Sequence, residues 1–277
     1  MIHHSQYDEI IRRSLEEDLG VAGDITSATV IDAAAISEGN LIARQAGVVA
    51  GLEVASRVFE IVDHAIVFRR EVDDGTSVEQ GRVVATLSGP TRSILTGERT
   101  ALNLIGRMSG VATATRQLVD LVAGTGAAIT DTRKTMPGLR VLDKWAVRLG
   151  GGSNHRFGLG DAVMIKDNHL IAAGGVRHAV EAAKAQVGHT VSIEVEVRSL
   201  EELEELLEVG ADIVMLDNMD LATMARAVEV ASGRLKVEAS GGITPENIRA
   251  VAETGVDVIS VGWITHSAPQ LDVALDL

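Results

Sequence analysis

The stretch SIEVEVRSLEELEELLEVGADIVMLDN, residues 192–218, decides the fold because it contains a complete strand–helix–strand repeat. The apolar segments Ser192–Val197 and Asp212–Leu216 predict strands, and Leu200–Val209 between them predicts a helix. Strands joined by a helix pair in parallel through a right-handed crossover. The stretch therefore predicts a parallel β/α unit.

The same alternation runs from Gly126 towards the C-terminal end of the sequence. Six such strands predict either an α/β barrel or an open doubly wound sheet. No GxGxxG follows any of these strands, which argues against dinucleotide binding. The other predicted strands are Ala127–Thr132, Ala162–Lys166, Lys236–Ala239 and Val256–Val261, and the other predicted helices are Leu139–Leu149, Val176–Gln186, Leu221–Ala231 and Pro245–Thr254.

The first part of the chain, up to about residue 107, has a mixed α/β pattern instead. Leu52–Val62 predicts a helix with Val54, Val58 and Ile61 on one face. A long helix is expected from Thr91 to about Val122, with an interruption near Gly110.

Composition excludes several classes of function. The 277 residues include 25 Lys+Arg and 39 Asp+Glu, so the formal net charge is −14, which argues against a nucleic-acid groove. The absence of cysteine excludes disulfide scaffolds, thiol catalysis and thiolate metal sites. No apolar run reaches the roughly 18 residues of a membrane span and no targeting segment is recognisable, so we expect a cytoplasmic protein.

Polar or glycine residues end every predicted strand of the second part. In a parallel barrel the carboxyl ends of the strands meet on one face, which carries the active site. Solvated loops also place polar residues at strand ends, but charged ends on four strands and glycine-rich ends on two favour a single pocket. These ends are Asp131–Lys134, Lys166–His169, Glu194 with Glu196, Asp217–Asn218, Ser240–Gly242 and Gly262.

A local excess of cations lies between Asp131 and His169, where seven basic residues stand against four acidic ones. Such a cluster in an acidic protein indicates a small polyanionic ligand. Arg140, Lys144 and Arg148 step by four along a helix and are expected to form a solvated face. Arg133, Lys134, Arg156 and Lys166 lie at strand ends or in a glycine-rich loop, where a binding role is favoured.

Glu196 and Asp217 end adjacent strands and offer hard oxygen ligands that suit Mg²⁺. A salt bridge to one of the lysines is an almost equally good interpretation of these acids. Glu194 and Glu196 share strand parity, so both should point inward while Val195 packs on the opposite face.

Ser240-Gly241-Gly242 precedes a predicted helix with Pro245 at its first position and Thr244 as its cap. Strand, glycines and a helix N-terminus together present backbone N–H groups to a phosphate. Gly262 and His266 would form the neighbouring wall of this cradle.

Eight motifs in this order resemble those of the quinolinate phosphoribosyltransferases, the carboxylating nicotinate-nucleotide pyrophosphorylases. The resemblance covers nearly the whole chain, and TRKTMPGLR followed by HR and KDNH is its most specific part. The motifs are GDITS (Gly23–Ser27), GERTALN (Gly97–Asn103), TRKTMPGLR (Thr132–Arg140), GGGSNHR (Gly150–Arg156), MIKDNH (Met164–His169), EVEV (Glu194–Val197), LDN (Leu216–Asn218) and SGGI (Ser240–Ile243).

The resemblance implies an N-terminal α/β sandwich domain, 1–107, completed by the tail 268–277, and an open α/β barrel domain, 108–267. It implies a homodimer or larger homo-oligomer in which the sandwich of one subunit closes the barrel mouth of another. The implied reaction joins quinolinate to 5-phosphoribosyl 1-pyrophosphate, releases pyrophosphate and CO₂, and requires Mg²⁺. Nicotinate mononucleotide is the product.

The resemblance also implies roles for individual residues. Arg133, His155, Arg156 and Lys166 would bind the quinolinate carboxylates, and Arg99 would be offered by the neighbouring subunit. The residues implied for the second substrate are Lys134 at the pyrophosphate, Glu196 and Asp217 at the ribose hydroxyls and Mg²⁺, and Ser240, Gly241, Gly262 and His266 at the 5-phosphate.

Three alternatives keep the fold but change the activity. A paralogue associated with molybdate transport is disfavoured by Lys166 and the intact TRKT motif. A nicotinate phosphoribosyltransferase, which uses a monocarboxylate, is disfavoured by the surplus of cations. A non-catalytic sensor of phosphorylated ligands is disfavoured by the intact carboxylate pair.

Overall fold

The computed structural model describes residues 2–277 and contains both predicted halves as helices and strands. A 3₁₀ turn, His4–Gln6, precedes the first helix. The helices are α1 Asp8–Leu19, α2 Ile25–Val30, α3 Leu52–Val62, α4 Thr91–Leu121, α5 Arg140–Leu149, α6 Asp167–Ala173, α7 Val176–Gln186, α8 Leu200–Val209, α9 Leu221–Ala231, α10 Ile248–Glu253 and α11 Trp263–His266. The strands are β1 Ile36–Ala43, β2 Gly47–Val48, β3 Val67–Arg70, β4 Ser77–Val78, β5 Val83–Pro90, β6 Ala128–Thr130, β7 Val163–Ile165, β8 Ile193–Val197, β9 Ile213–Asp217, β10 Lys236–Ser240, β11 Val258–Ser260 and β12 Val273–Asp276.

The described chain divides into two compact units. Unit 1 comprises the described residues up to Arg116 together with Thr135–Gly151 and Trp263–Leu277. Unit 2 comprises Gln117–Lys134 and Gly152–Gly262. The domain boundaries expected from the resemblance, 1–107 with 268–277 and 108–267, stay a prediction.

Unit 1 contains a four-stranded antiparallel sheet in the order β12-β1-β5-β3. The last strand of the chain is an edge strand beside β1, with Ala43 opposite Val273. In helix α3 the predicted Val54 and Val58 are buried, whereas Ile61, predicted on the same face, is only half-buried. Phe59, which the prediction did not include, is buried as well.

Unit 2 contains a six-stranded sheet in the order β6-β11-β10-β9-β8-β7, with every neighbouring pair parallel. This open sheet, in which β6 and β7 are the edges, confirms the predicted α/β fold class. The helices that connect its strands pack apolar residues inward. In α8, for example, Leu203 and Leu206 are buried and the Ser199 side chain accepts a hydrogen bond from the Glu202 N–H.

The expected interruption of the long helix near Gly110 is wrong, because α4 runs without a break from Thr91 to Leu121. The structure gives another reason for this glycine. A Cβ atom at position 110 would overlap the carbonyl oxygen of Pro269, so only a hydrogen fits between α4 and that segment of unit 1.

Helix α10 begins at Ile248, so the prediction of a helix that starts at Pro245 under a Thr244 cap is wrong. The Asn247 side chain accepts a hydrogen bond from the Thr244 N–H at 2.8 Å and donates one to Gly242 O, and the chain forms a turn before the helix. These bonds hold the turn that precedes the helix, and the regular helix is the six residues from Ile248 to Glu253.

Helix α5 is more deeply enclosed than its charges suggested. Residues 142–147 are all buried, and Lys144 is 3% exposed, so the expected solvated face is wrong at Lys144. The neighbouring Asp143 is fully buried and binds the Arg107 guanidinium through two hydrogen bonds, of 3.0 and 2.9 Å. Among residues 2–277, no helix is both long enough and apolar enough to span a membrane.

Candidate active site

Lys166 and Glu196 form an ion pair at the carboxyl ends of two neighbouring strands. In the parallel register of β7 and β8, Ile165 lies opposite Val195. The next residues along the chain, Lys166 and Glu196, therefore lie side by side. Lys166 Nζ lies 2.6 Å from Glu196 Oε2, and Glu196 is buried. The salt bridge that we kept as an alternative for this carboxylate is therefore present.

His155 approaches two buried carboxylates from two different strands, β8 and β10. Its Nε2 lies 3.2 Å from Glu194 Oε2 and 3.6 Å from Glu238 Oε1. Both glutamates are over nine-tenths buried. Burial, together with the nearby charge of Glu194, raises the pKa of Glu238 to about 7.

Asp131, which directly follows β6, fixes the loop that carries His155. Its carboxylate is fully buried and accepts hydrogen bonds from Asn154 Nδ2 at 2.7 Å and from the His155 N–H at 2.9 Å. A buried carboxylate that accepts donors from the 150s loop holds this loop against the sheet.

Arg156 has an incompletely used guanidinium group. One Nη donates to Ala162 O at 2.9 Å, whereas Nε is buried and finds no acceptor within the described chain. Burial, and then the positive charge of the neighbouring Arg133, lowers the pKa of Arg156. The arginine pair is thus electrostatically suited to an anionic ligand.

Asp217 and Ser240 are register partners at the ends of β9 and β10. Asn218 Nδ2 donates to Asp217 Oδ2 at 2.9 Å, and the Asn218 backbone has a positive φ of 54°. A Cβ atom on Gly241 would overlap the Asn218 amide, so glycine is needed there for close approach. A cavity of about 620 Å³ lies between the loops that follow these two strands and includes Asn218 and Gly241 in its lining.

The remaining predicted site residues are Lys134, Gly262, Arg99 and His266. Lys134 is exposed and its N–H donates to Thr132 Oγ1 at 3.0 Å. Gly262 lies two residues after the end of β11, in unit 2. Arg99 and His266 are exposed residues of unit 1, whereas all the other predicted site residues belong to unit 2.

Together, unit 2 gathers a pair of arginines, a lysine and several buried carboxylates around the carboxyl ends of its strands. His155, Glu194 and Glu238 could also hold a metal ion, since their ligand atoms lie within 4.8 Å of one another. Sequence reasoning assigned no role to Glu238 or Asp131. An acid within an apolar strand, at the same parity as Ser240, is the signal that would have identified Glu238.

Two family models match consecutive parts of the chain. Residues 24–109 match "Quinolinate phosphoribosyl transferase, N-terminal domain" and residues 111–276 match "Quinolinate phosphoribosyl transferase, C-terminal domain".

Individual relatives are similar over the full length. The chain is 42% identical to the nicotinate-nucleotide pyrophosphorylase [carboxylating] of Mycobacterium leprae, with all of both chains covered. It is 40% identical to the quinolinate phosphoribosyltransferase [decarboxylating] 2, mitochondrial, of Nicotiana glauca, covering 99% of this chain and 83% of that protein. The solved nicotinate-nucleotide pyrophosphorylase of Francisella tularensis superposes with a TM-score of 0.95 at 40% identity, covering 100% and 97% of the two chains.

Proposed function

The chain belongs to the quinolinate phosphoribosyltransferase family, and from this premise we propose that it transfers a phosphoribosyl group to quinolinate with decarboxylation. The donor is 5-phosphoribosyl 1-pyrophosphate, and the products are nicotinate mononucleotide, pyrophosphate and CO₂, as required for de novo NAD biosynthesis. The observation that carries this proposal is Arg156, a guanidinium beside Arg133 whose buried Nε–H has no acceptor within the described chain.

Substrate binding uses the cations. Quinolinate is a dianion, and arginine binds carboxylates in a planar, two-bonded geometry. Arg133 and Arg156 take the carboxylates, with Lys166 beside them. We assign Lys134 to the pyrophosphate, and Ser240, Gly241, Gly262 and His266 to the 5-phosphate, on the basis of the family motifs.

Group transfer uses the carboxylates. The pyridine nitrogen attacks ribose C1 as the bond from C1 to pyrophosphate breaks, and positive charge develops on the ribose. Glu196 and Asp217, at the ends of adjacent strands, stabilise this charge.

Decarboxylation follows from the new charge on the ring. Once the ring nitrogen is ribosylated, it withdraws the electron pair that remains when the C2–carboxyl bond breaks. C2 then takes up a proton. The cations that hold the other carboxylate keep the ring in place during this step.

Glu196 and Asp217 also fit Mg²⁺, because carboxylate oxygens from neighbouring strands are ligands that this ion prefers. Lys166 already engages Glu196 Oε2 and Asn218 engages Asp217 Oδ2, which suits an ion held in addition by phosphate oxygens and water. Bound there, Mg²⁺ would neutralise charge on the pyrophosphate. We further propose a cytoplasmic homodimer in which Arg99 is offered to the neighbouring subunit.

The decisive experiment measures release of labelled CO₂ from quinolinate that carries the label in its 2-carboxyl group. Release should require the protein, Mg²⁺ and phosphoribosyl pyrophosphate together. Nicotinate offered in place of quinolinate is the matched control, since it should yield no nucleotide. Absence of CO₂ release in the complete mixture would contradict the proposal, and efficient use of nicotinate would favour a monocarboxylate enzyme.

A further inference from the structure

Both ring nitrogens of His155 are engaged by the protein itself. The backbone N–H of Arg156 donates to His155 Nδ1 at 2.7 Å. An N–H group can only donate, so Nδ1 must carry the lone pair, and in the neutral ring Nε2 carries the proton. Nε2 in turn faces Glu194 Oε2 at 3.2 Å, with Glu238 Oε1 at 3.6 Å.

This arrangement favours a proton over a metal ion between the three side chains. A metal ion bound to Nε2 would need the lone pair at that nitrogen and would place the ring proton on Nδ1. That proton would then point at the Arg156 N–H, which is itself a donor. The geometry therefore points to a hydrogen-bonded triad.

The two carboxylates are arranged to receive a donor from His155. Glu194 Oε2 and Glu238 Oε1 are the oxygens that face Nε2, and Glu238 Oε1 is buried without a hydrogen-bond partner within the described chain. Two carboxylates buried this close together are costly when both are charged, so one holds a proton more readily. The raised pKa of Glu238 agrees with this assignment.

The triad is connected to Arg156 through a short and well-anchored loop. Asp131 holds the His155 N–H, and the His155 ring holds the Arg156 N–H. The Arg156 guanidinium is then tied to Ala162 O on one side, which leaves its Nε–H as the buried donor without an acceptor. Moving the His155 ring would move the backbone of Arg156.

We propose that Glu194 and Glu238 are positioning residues that hold His155 in its Nε2–H tautomer, so that His155 orients Arg156 and does not itself bind a substrate carboxylate. This deepens the proposed function and rests on it. It revises the role of His155 that the family resemblance implies, and it gives Glu194 and Glu238 a role in recognising the pyridine dicarboxylate.

The first test separates ligand binding from positioning by observing the ring nitrogens directly. In protein labelled with ¹⁵N-histidine, His155→Asn identifies the His155 signals by their disappearance. Nδ1 should have the shift of an unprotonated nitrogen and Nε2 that of a protonated one, and both should stay so when quinolinate is added. Conversion of the ring to imidazolium, or exchange of the two shifts, on adding quinolinate would overturn the proposal.

The second test is kinetic. Glu238→Ala should raise the KM for quinolinate about tenfold, because a misplaced Arg156 binds the diacid poorly, while the KM for phosphoribosyl pyrophosphate changes little. Glu238→Gln keeps a neutral hydrogen-bonding side chain and should restore most of the affinity. Asp74→Asn is the matched control and should leave this KM unchanged, because Asp74 is a half-buried acid of unit 1 that accepts a hydrogen bond from the Leu52 N–H.

An unchanged quinolinate KM in correctly folded Glu238→Ala would overturn the positioning role. A parallel rise in both KM values, with no rescue by Glu238→Gln, would also contradict it. If the wild-type protein released no CO₂, the proposed function would fall, whereas the ring-nitrogen shifts measured without quinolinate would still test the triad.

Discussion

Lys166 combines two roles that can be separated by substitution: it compensates a buried carboxylate and it presents a cation. Its ammonium lies 2.6 Å from Glu196, which is 6% exposed, while the lysine side chain keeps 43% of its surface exposed. The exposed part is available to a substrate. The buried Glu196 carboxylate holds the Lys166 ammonium group in a fixed position.

We expect Lys166→Ala to lower kcat/KM for quinolinate by at least about 100-fold, since it removes a charge from the proposed reacting centre. Labelled CO₂ release measures the loss. Lys184→Ala, which removes a lysine that donates to Val209 O on the surface of unit 2, is the control and should keep full activity. Near-normal turnover of Lys166→Ala would remove this residue from the site.

The ion pair between Asp8 and Arg57 predicts a pH dependence of stability. Arg57 donates two hydrogen bonds to Asp8, of 2.9 and 2.8 Å, and these bonds lower the pKa of Asp8 below its ordinary 3.8. Because the pKa of Asp8 is lower in the folded state than in the unfolded state, the ion pair stabilises the folded state at pH values above the unfolded-state pKa. This stabilisation is lost as the pH falls through the folded-state pKa.

Thermal unfolding followed from pH 7 down to about pH 3 should therefore show a smaller loss of Tm in Arg57→Gln than in the wild type. Arg13→Gln is the control on α1, the helix that contains Asp8, because Arg13 and Glu9 form a largely exposed pair whose contribution is small. Parallel Tm curves for wild type and Arg57→Gln would contradict the assignment.

The placement of a candidate site residue could be predicted from the sequence where that residue ends a strand or directly follows one. Lys166, Glu196 and Asp217 follow or end strands, and parallel pairing alone brings such positions to one edge. Glu238 was missed because it belongs to none of the motifs, and its shared strand parity with Ser240 was not used. The two hydrogen bonds of the His155 ring depend on side-chain orientation, which strand order does not determine.

At the scale of whole elements, Gly110 determines how closely α4 approaches the segment at Pro269. We expect Gly110→Ala to destabilise the protein by about 1–3 kcal/mol despite the better helix propensity of alanine, because the new methyl group overlaps a backbone oxygen.

Urea unfolding should resolve this difference. Gly106→Ala, four residues earlier in α4, is the graded control, since its Cβ would lie 3.1 Å from the Leu271 oxygen and needs only a small adjustment. Equal stability of Gly110→Ala and the wild type would show that the segment at Pro269 moves aside without cost.

The bounds of α7, α8 and α9 agree with the sequence-based expectation, whereas those of α6 and α10 do not. The first three helices have regularly spaced apolar residues, and this spacing can be recognised in the sequence. Helix α6 begins immediately after Lys166, inside a motif that we had interpreted only as a polar strand end. Before α10 the Asn247 side chain bonds to the backbone of the preceding turn, and no apolar spacing encodes these bonds.

At the scale of the whole molecule, the proposed assignment of Arg99 to a neighbouring subunit makes a test by mixing possible. Arg99→Ala and Lys166→Ala should each be inactive alone. In a mixed dimer, one site would combine an intact Arg99 with an intact Lys166, so mixing should recover up to about a quarter of wild-type activity under random exchange. No recovery, when exchange of subunits is demonstrated separately, would contradict a shared site.

The antiparallel sheet of unit 1 has its edge strand, β12, at residues 273–276, while β1, β3 and β5 lie within the first 90 residues. All six strands of the unit 2 sheet precede β12 in the chain. On the ribosome, the parallel sheet can therefore finish while the earlier-made sheet still has an open edge beside β1. The nascent protein must keep that edge from pairing with other chains until its final strand emerges.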